Sequence, residues 1–354
     1  MTRFKSILIA VFAVLVSAAY VLPSLPASAV SSASLSIVPK KNYLIEAGKS
    51  VNDKLTIRNL DNVQPLLLSL RVVDFTYSDD GGTPKLNLAE NVPETTWSLR
   101  SYLTVPESVT IPAGGSKTLD MKVSIPANVG AGSYYSAIVY SSGSGTGGNV
   151  GLSASGVTLV FTSVPGQVTE DLHLEKLGAY DETAKSGTDG YVFFASKEPQ
   201  SIGYTLKNNG NVTESPVGSI KLKDMFGRET TVTDVNPSGS LALIGQTRTF
   251  SACINLSSAQ VDFNGGKSAS KTCASPGLWP GYYSISLDLY YGQNGNKTQE
   301  VVGSSSFWYL PMWFVITALI VLLVAAFFIW RLVRMIRVKV YGFQPPRRSS
   351  SRRK

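Results

Sequence analysis

A run of 19 uncharged residues near the C-terminus constrains the fold of this 354-residue chain more than any other feature. The run extends from Met312 to Trp330 and carries one hydroxyl group, on Thr317. As an α-helix it would be about 28 Å long, close to the thickness of the hydrocarbon core of a bilayer. Aromatic residues flank both ends, as is typical of membrane–water interfaces. The sequence therefore predicts a transmembrane helix within residues 307–330 rather than a buried core helix.

The basic residues are concentrated at the two ends of the chain. Of 32 Lys and Arg, two lie in the first five residues and nine lie in 331–354, which contains no acidic residue. The positive-inside rule places that tail in the cytoplasm. We therefore expect a single-pass, type I plasma-membrane protein with residues 30–306 outside the cytoplasm. The basic residues that flank the membrane, next to its lipid headgroups, are Arg331, Arg334, Arg337 and Lys339.

The formal net charge of +8 does not describe the part of the chain between the two ends. Residues 30–306 contain 21 basic and 24 acidic residues, so this part is mildly acidic. Nucleic-acid binding requires a basic surface on the folded part of a protein. We therefore expect no nucleic-acid partner.

Residues 1–29 have the pattern of a secretory signal peptide. Arg3 and Lys5 precede an apolar stretch, which is followed by Ala27-Ser28-Ala29. Small residues in this arrangement predict cleavage after Ala29. The alternative is an uncleaved N-terminal anchor, which two prolines after the apolar stretch disfavour.

Residues 30–306 alternate between apolar and polar positions in short segments separated by turn residues. Val51–Asn59 is one such segment, and Leu66–Phe75 is a longer apolar one. This pattern is typical of antiparallel sandwiches. The sequence predicts an all-β fold of two tandem Ig-like antiparallel β-sandwich domains, 30–165 and 166–306, followed by the single transmembrane α-helix.

An internal repeat supports the division into two domains. Leu55–Asn62 matches Tyr204–Asn211 at a displacement of 149 residues, and both segments end in an Asn-rich turn. Gly132-Ser133-Tyr134-Tyr135-Ser136 matches Gly281-Tyr282-Tyr283-Ser284, with the tyrosines displaced by 148. Neighbouring residues of a strand point to opposite faces, so one tyrosine of each pair is expected in a core.

Residues 30–306 contain few cysteine and histidine residues, which often catalyse reactions or bind metals. Cys253 and Cys273 are the only cysteines, and in an exported chain they predict a disulfide. His173 is the only histidine and no nucleophile motif accompanies it. Asp79-Asp80-Gly81-Gly82 lacks the ligand spacing of a calcium loop and is interpreted as a turn. We expect no catalytic residue, no cofactor and no metal site.

Aromatic residues are the remaining candidates for ligand contact, because aromatic side chains dominate glycan and protein interfaces. The candidates are Trp97, Tyr102, Tyr134, Trp279 and Tyr282.

Three segments of the first domain resemble the cell-wall-binding domain of the WxL-interacting surface proteins of Gram-positive bacteria. They are Leu55–Asn62, Val105–Leu119 and Ile125–Tyr135. The layout of a signal peptide, two β domains, one membrane helix and a basic tail is also similar. The second domain matches only generic bacterial Ig-like modules. The resemblance implies peptidoglycan binding for the first domain, or binding to partner surface proteins, and implies no catalytic residue.

Two hypotheses of function follow. The first is a non-catalytic, membrane-anchored bacterial surface protein that binds cell-wall glycan or other surface proteins through its sandwiches. The alternative is an accessory, chaperone-like membrane subunit that presents or assembles exported proteins by strand pairing. An enzyme, such as a wall hydrolase with a Ser/Lys pair, ranks third.

Overall fold

A computed structural model describes residues 35–77, 83–89, 92–142, 154–181, 190–263, 266–292 and 299–342. These residues form 22 β-strands, a 3-10 turn at Arg100–Tyr102 and one α-helix. The predicted all-β fold with a single apolar C-terminal helix is confirmed. The predicted signal peptide, its cleavage site at Ala29 and the end of the basic tail lie outside the described residues.

Strands β1–β11 form what we call the N-terminal module. A four-stranded sheet has the order β1-β3-β9-β7, a five-stranded sheet has the order β2-β11-β10-β4-β8, and β5 and β6 form a separate hairpin. The strands are β1 (Leu35–Ser36), β2 (Lys40–Leu44), β3 (Ser50–Asn59), β4 (Leu66–Val73), β5 (Phe75–Tyr77), β6 (Pro84–Leu86), β7 (Leu103–Thr104), β8 (Ser108–Ile111), β9 (Ser116–Ser124), β10 (Gly132–Ser142) and β11 (Ala154–Val164).

Strands β12–β22 form the C-terminal module. Its sheets have the orders β13-β12-β15-β18 and β14-β22-β21-β16-β17, and β19 and β20 form a hairpin. The strands are β12 (Leu172–Tyr180), β13 (Tyr191–Val192), β14 (Phe194–Ala195), β15 (Ser201–Asn208), β16 (Val217–Asp224), β17 (Glu229–Val232), β18 (Thr247–Cys253), β19 (Leu256–Phe263), β20 (Gly266–Cys273), β21 (Gly281–Tyr291) and β22 (Gln299–Tyr309).

The two five-stranded sheets share one topology. In each, a short strand runs parallel to the last strand of the module, and the other pairs are antiparallel. Alternation places every second side chain of a strand between the facing sheets. Leu55, Ile57 and Ile138 are buried in the N-terminal core, and Ile202, Leu206 and Leu287 are buried in the C-terminal core.

Asn59 and Asn208 are equivalent positions of the internal repeat, and Asn59 shows the structural role of this asparagine. Its side chain is buried where β3 ends. Its amide nitrogen donates to the backbone oxygens of Gln64 (2.8 Å) and Pro112 (3.2 Å), and its side-chain oxygen accepts the N–H of Asp61 (3.0 Å). The side chain thus satisfies three backbone groups at the corner that follows the strand.

Asn208, which is displaced by 149 residues, makes the same set of bonds where β15 ends. Its amide nitrogen donates to the backbone oxygens of Val212 (2.7 Å) and Ala242 (3.0 Å), and its side-chain oxygen accepts the N–H of Gly210 (2.9 Å). The sequence repeat therefore reflects a repeated hydrogen-bond arrangement.

The second landmark of the repeat also follows a displacement of 149 residues, and not the 148 that the tyrosines suggest. Gly132 and Gly281 begin equivalent strands with φ angles of 150° and 152°, a region that favours glycine. Tyr134 and Tyr283 each donate a hydroxyl hydrogen bond to the backbone oxygen four residues earlier, at 2.9 and 2.8 Å. Tyr134 is thus equivalent to Tyr283, and the match of Tyr134 with Tyr282 is wrong by one residue.

The C-terminal helix, α1, spans Met312–Tyr341. It begins at Met312 and not at residue 307, because Phe307–Tyr309 pair with β21 as the end of β22. By length and composition, Met312–Arg337 is apolar enough to cross a membrane, and none of its most apolar window is buried within the protein. Arg331, Arg334, Arg337 and Lys339 lie on the last turns of α1.

Replacing either repeated asparagine should destabilise the module that contains it. We expect Asn59→Ala and Asn208→Ala each to lower the free energy of unfolding by about 1–3 kcal/mol, because buried backbone groups lose their partners. Asn52→Ala, at an exposed position of β3, is the control and should change it by less than about 0.5 kcal/mol. Denaturant unfolding of the full chain in detergent measures these differences. Equal effects at positions 52 and 59 would contradict the role assigned to the repeat.

Candidate functional site: an open strand edge in the C-terminal module

Strand β22 is paired along its whole length on one side only. All eleven of its residues, Gln299–Tyr309, pair with β21. On the other side β14 pairs with Trp308 and Tyr309 alone. In the described part of the chain, no strand pairs with Gln299–Phe307 on that side. We call this side of Gln299–Phe307 the open edge.

The bonds to β14 show which backbone groups face the open edge. The N–H of Trp308 donates to the oxygen of Phe193 (2.8 Å), and the N–H of Leu310 donates to the oxygen of Ala195 (2.8 Å). Alternate residues of a strand direct their N–H and C=O groups to the same side. The residues that direct both groups to the open edge are therefore Glu300, Val302, Ser304 and Ser306.

The open edge lies where the residues before β14 would have to continue its pairing. Strand β14 runs parallel to β22, so only residues that precede Phe194 could extend it along Phe307 and the earlier residues of β22. Tyr191 and Val192 pair instead with Tyr180 and Ala179 of β12, in the facing sheet. In the described part of the chain, the segment before β14 therefore belongs to the other sheet and leaves β22 open.

The equivalent edge of the N-terminal module is covered. There β2 pairs with five residues of β11, Leu159–Ser163. Farther along β11, the side chains of Leu35 and Ile37 lie so close to Gly156 that a Cβ at that position would be within 2.9 Å of both. The two modules share a topology but differ at this edge.

The composition of the open edge does not protect it from pairing. Natural edge strands often carry lysine, proline or a bulge that prevents another strand from adding. Gln299–Phe307 contains no lysine, arginine or proline, and Glu300 is its single charged residue. Its pairing with β21 continues without a bulge.

An apolar surface lies beside the open edge, on β12 of the facing sheet. Leu174 and Leu177 are partly buried there, and the side chain of Leu174 lies directly against Gly303. Among the described residues, β12 is itself paired on its outer side only at Ala179 and Tyr180. In the described structure, β12 and β22, which lie in facing sheets, are therefore both largely unpaired on their outer sides.

The two modules are joined by a third apolar cluster. Phe75, Tyr135 and Phe161 of the N-terminal module are buried with Leu243 and Ile244 of the C-terminal module. Backbone hydrogen bonds add to this contact, including one from the N–H of residue 133 to the oxygen of residue 211 at 3.0 Å. The modules thus share buried apolar surface.

The aromatic residues proposed for ligand contact lie in three places. Trp97 belongs to the apolar cluster between the modules. Tyr102 and Tyr134 contact each other in the N-terminal module, with ring centroids 6.2 Å apart. Trp279 and Tyr282 lie at the start of β21, at the end of the C-terminal module from which α1 emerges.

The predicted disulfide between Cys253 and Cys273 is confirmed, and it joins the end of β18 to the end of β20. His173 lies on β12 with its side chain exposed, and its Nε2 is 3.0 Å from a carboxylate oxygen of Asp171. Among the described residues, no three His, Cys, Asp or Glu side chains come together as a metal site.

Glu214 is a buried carboxyl group in the corner after β15, with 1% of its surface exposed. It exchanges two backbone hydrogen bonds with Ala242, and its Oε2 accepts the N–H of Gly292 (3.1 Å). Burial, followed by the negative charge of Glu170, raises the pKa of Glu214 to about 7. Near neutral pH the folded protein therefore contains Glu214 in both its protonated and its ionised form.

The two modules define the class of protein, a tandem of Ig-like β-sandwiches followed by an apolar helix. No family model and no curated protein matches the chain. The prediction that the chain is a WxL-interacting protein therefore stays a prediction.

Solved structures of fimbrial chaperones are similar to the chain in fold. A chain from the chaperone–tip adhesin complex of CFA/I fimbriae has a TM-score of 0.36 and 12% identity, over 77% of this chain and 99% of that one. The class 5 fimbriae chaperone CfaA has a TM-score of 0.33 and 13% identity, over 79% and 100%. The E. coli chaperone DraB has a TM-score of 0.30 and 13% identity, over 78% and 98%. A likeness at this level concerns the fold alone.

The raised pKa of Glu214 predicts that stability falls as the pH rises from about 4.5 to about 7. Over that range the folded chain keeps a proton that the unfolded chain has lost, so each rise in pH favours unfolding. The expected loss is about 3 kcal/mol. Glu214→Gln should remove this loss and be more stable than the wild type at pH 8.

Thermal unfolding of the full chain in detergent at pH 5 and pH 8 measures this effect. Glu175→Gln, at an exposed position of β12, is the matched control and should keep the pH dependence of the wild type. An unchanged pH dependence in Glu214→Gln would show that Glu214 is not the responsible group.

Proposed function

We propose that this chain is a non-catalytic, membrane-anchored accessory protein of a bacterial envelope that holds an exported partner protein by strand addition to the open edge of β22. The single observation that carries the proposal is the unpaired side of Gln299–Phe307. An extended segment of a partner can add to such an edge through main-chain hydrogen bonds.

The open edge offers enough bonding groups for a specific complex. Four residues direct both an N–H and a C=O to the open side, and each main-chain hydrogen bond contributes about 0.5–1.5 kcal/mol net. An added strand would also cover the apolar side chains of Leu174 and Leu177 beside Gly303. Main-chain bonds would supply affinity, and the apolar contacts would supply preference among partner sequences.

A protein partner is better supported than cell-wall glycan. Glycan recognition uses aromatic side chains that converge on one surface. The five candidate aromatic residues lie in three places, and Trp97 packs between the modules. The resemblance of the first domain to a peptidoglycan-binding domain keeps glycan binding as the alternative.

The anchor determines where the partner would be held. Helix α1 would cross the plasma membrane, with the basic residues of its last turns on the cytoplasmic side. Both modules would then lie on the outer side, where exported proteins emerge.

A photo-crosslinking amino acid at Val302 of the full chain, expressed in its own cells, tests this function. Val302 is 65% exposed on β22, and the equally apolar Val63, exposed in the N-terminal module, is the control. We expect a discrete protein adduct from position 302 and none from position 63. Loss of the adduct on addition of an excess of purified wall glycan would contradict the proposal.

Ser304→Pro distinguishes strand addition from contact by side chains. The N–H of Ser304 faces the open edge, so proline removes a bond to the partner and no bond within the module. We expect at least a tenfold lower adduct yield from position 302 in Ser304→Pro, and an unchanged yield in Ser304→Ala, which keeps the N–H. Equal yields from the two variants would refute strand addition.

A further inference from the structure

The end of the C-terminal module from which α1 emerges carries a group of exposed apolar side chains. Strand β22 ends at Tyr309 and α1 begins at Met312, so the two are separated by at most about 11 Å of extended chain. The same end contains the end of β16 and the start of β21, because Asp224 pairs with Tyr283 and Gly281 pairs with Tyr309.

We call this group the aromatic rim. Its members come from three segments of the chain that reach this end of the sheet. They are Phe193, Phe194, Met225, Phe226, Trp279 and Tyr282, all of them exposed.

The side chains of the rim are arranged by contacts with one another and with β22. The rings of Phe193 and Phe194 have centroids 4.7 Å apart, and Phe194 pairs with Trp308. The ring of Tyr282 lies 5.3 Å from that of Trp308. The guanidinium of Arg228 lies over the ring of Trp279, 5.6 Å from its centroid. The rim therefore continues into the end of the strand that leads to the membrane helix.

Most of the large, exposed apolar side chains that the structure describes in the C-terminal module lie at this one end. Among the described residues of β12–β22 and their connections, only Tyr290 and Val302 are large, apolar and exposed outside the rim. Phe226 is 71% exposed and Trp279 is 63% exposed. Clusters of exposed apolar residues mark interaction surfaces.

We propose that the aromatic rim lies in the headgroup layer of the membrane that α1 spans and fixes the C-terminal module against the bilayer. The proposal depends on α1 being membrane-spanning, and it does not depend on a partner at the open edge. Tryptophan and tyrosine favour the membrane–water interface because their rings are apolar and their N–H or O–H groups remain hydrated. The guanidinium of Arg228 at this end is paired with the carboxylate of Asp224 (2.6 Å), so the attraction to the interface comes from the apolar and aromatic side chains.

The rim is assigned to the lipid interface because the short connection from β22 to α1 holds the rim close to the membrane. A connection of two residues, Leu310 and Pro311, joins β22 to α1, and the N–H of Leu310 is bonded to Ala195 of β14. The rim is therefore held near the entry of α1 into the membrane. Docking would fix the height of the open edge above the bilayer.

Spin labels on the full chain in nanodiscs of phosphatidylcholine and phosphatidylglycerol test the rim. The labelled variants are Phe226→Cys, Phe194→Cys and, as a control on β22, Val302→Cys, which is as exposed as Phe194. Both native cysteines are in the disulfide and do not react with the label. Power saturation with oxygen and with a water-soluble nickel chelate measures the depth of each label.

We expect an oxygen-to-nickel accessibility ratio at least threefold higher at positions 226 and 194 than at 302. A ratio at both rim positions equal to that at 302 would overturn the proposal. A raised ratio at only one of them would overturn the rim as a single surface. Since no partner is present, these results are independent of the crosslinking from Val302, and near-ultraviolet circular dichroism confirms that each variant is folded.

Discussion

The hydrogen bonds between β21 and β22 are the interaction on which the rest of the structure depends. They run along all eleven residues of β22, and in the described part of the chain its other side is paired only with the two residues of β14. The same strand leads into α1 after two residues. One strand therefore completes the sheet, leaves an open edge and connects the module to the membrane helix. Its single-sided pairing makes the C-terminal module different from the N-terminal one, in which β2 covers part of the equivalent strand.

Much of the fold could be predicted from the sequence because its determinants are local. Alternation of apolar and polar residues over Val51–Asn59 indicates a strand with one buried face, and β3 occupies that segment. Asn59 and Asn208 were recognisable because a buried side chain that satisfies the corner after a strand acts within a few residues. The disulfide followed from the presence of two cysteines in an exported chain.

Other features depend on contacts between distant residues and could not be predicted. The tyrosine landmark was misaligned by one residue because adjacent tyrosines point to opposite faces, and their sequence does not show which one is equivalent to Tyr134. The start of α1 was placed too early because Phe307–Tyr309 are aromatic enough for a membrane interface. Pairing with the start of β21, about 25 residues away, assigns them to β22.

The candidate site was missed for a similar reason. An open edge is defined by the absence of a neighbouring strand, and its position depends on the pairing of Tyr191 and Val192 with β12, which takes the residues before β14 away from β22. The one local signal was the absence of lysine and proline in Gln299–Phe307, which acquires meaning only when β22 is known to be an edge strand.

Hydrogen exchange of individual amides in β22 tests the open edge most directly. The full chain in nanodiscs, followed by NMR, should show slow exchange at Val301, Gly303 and Ser305, whose N–H groups are bonded to β21. Exchange at Val302, Ser304 and Ser306 should be at least tenfold faster, because these groups face the open side. Equally slow exchange at all six amides would show that another part of the chain covers the edge, and would contradict the account.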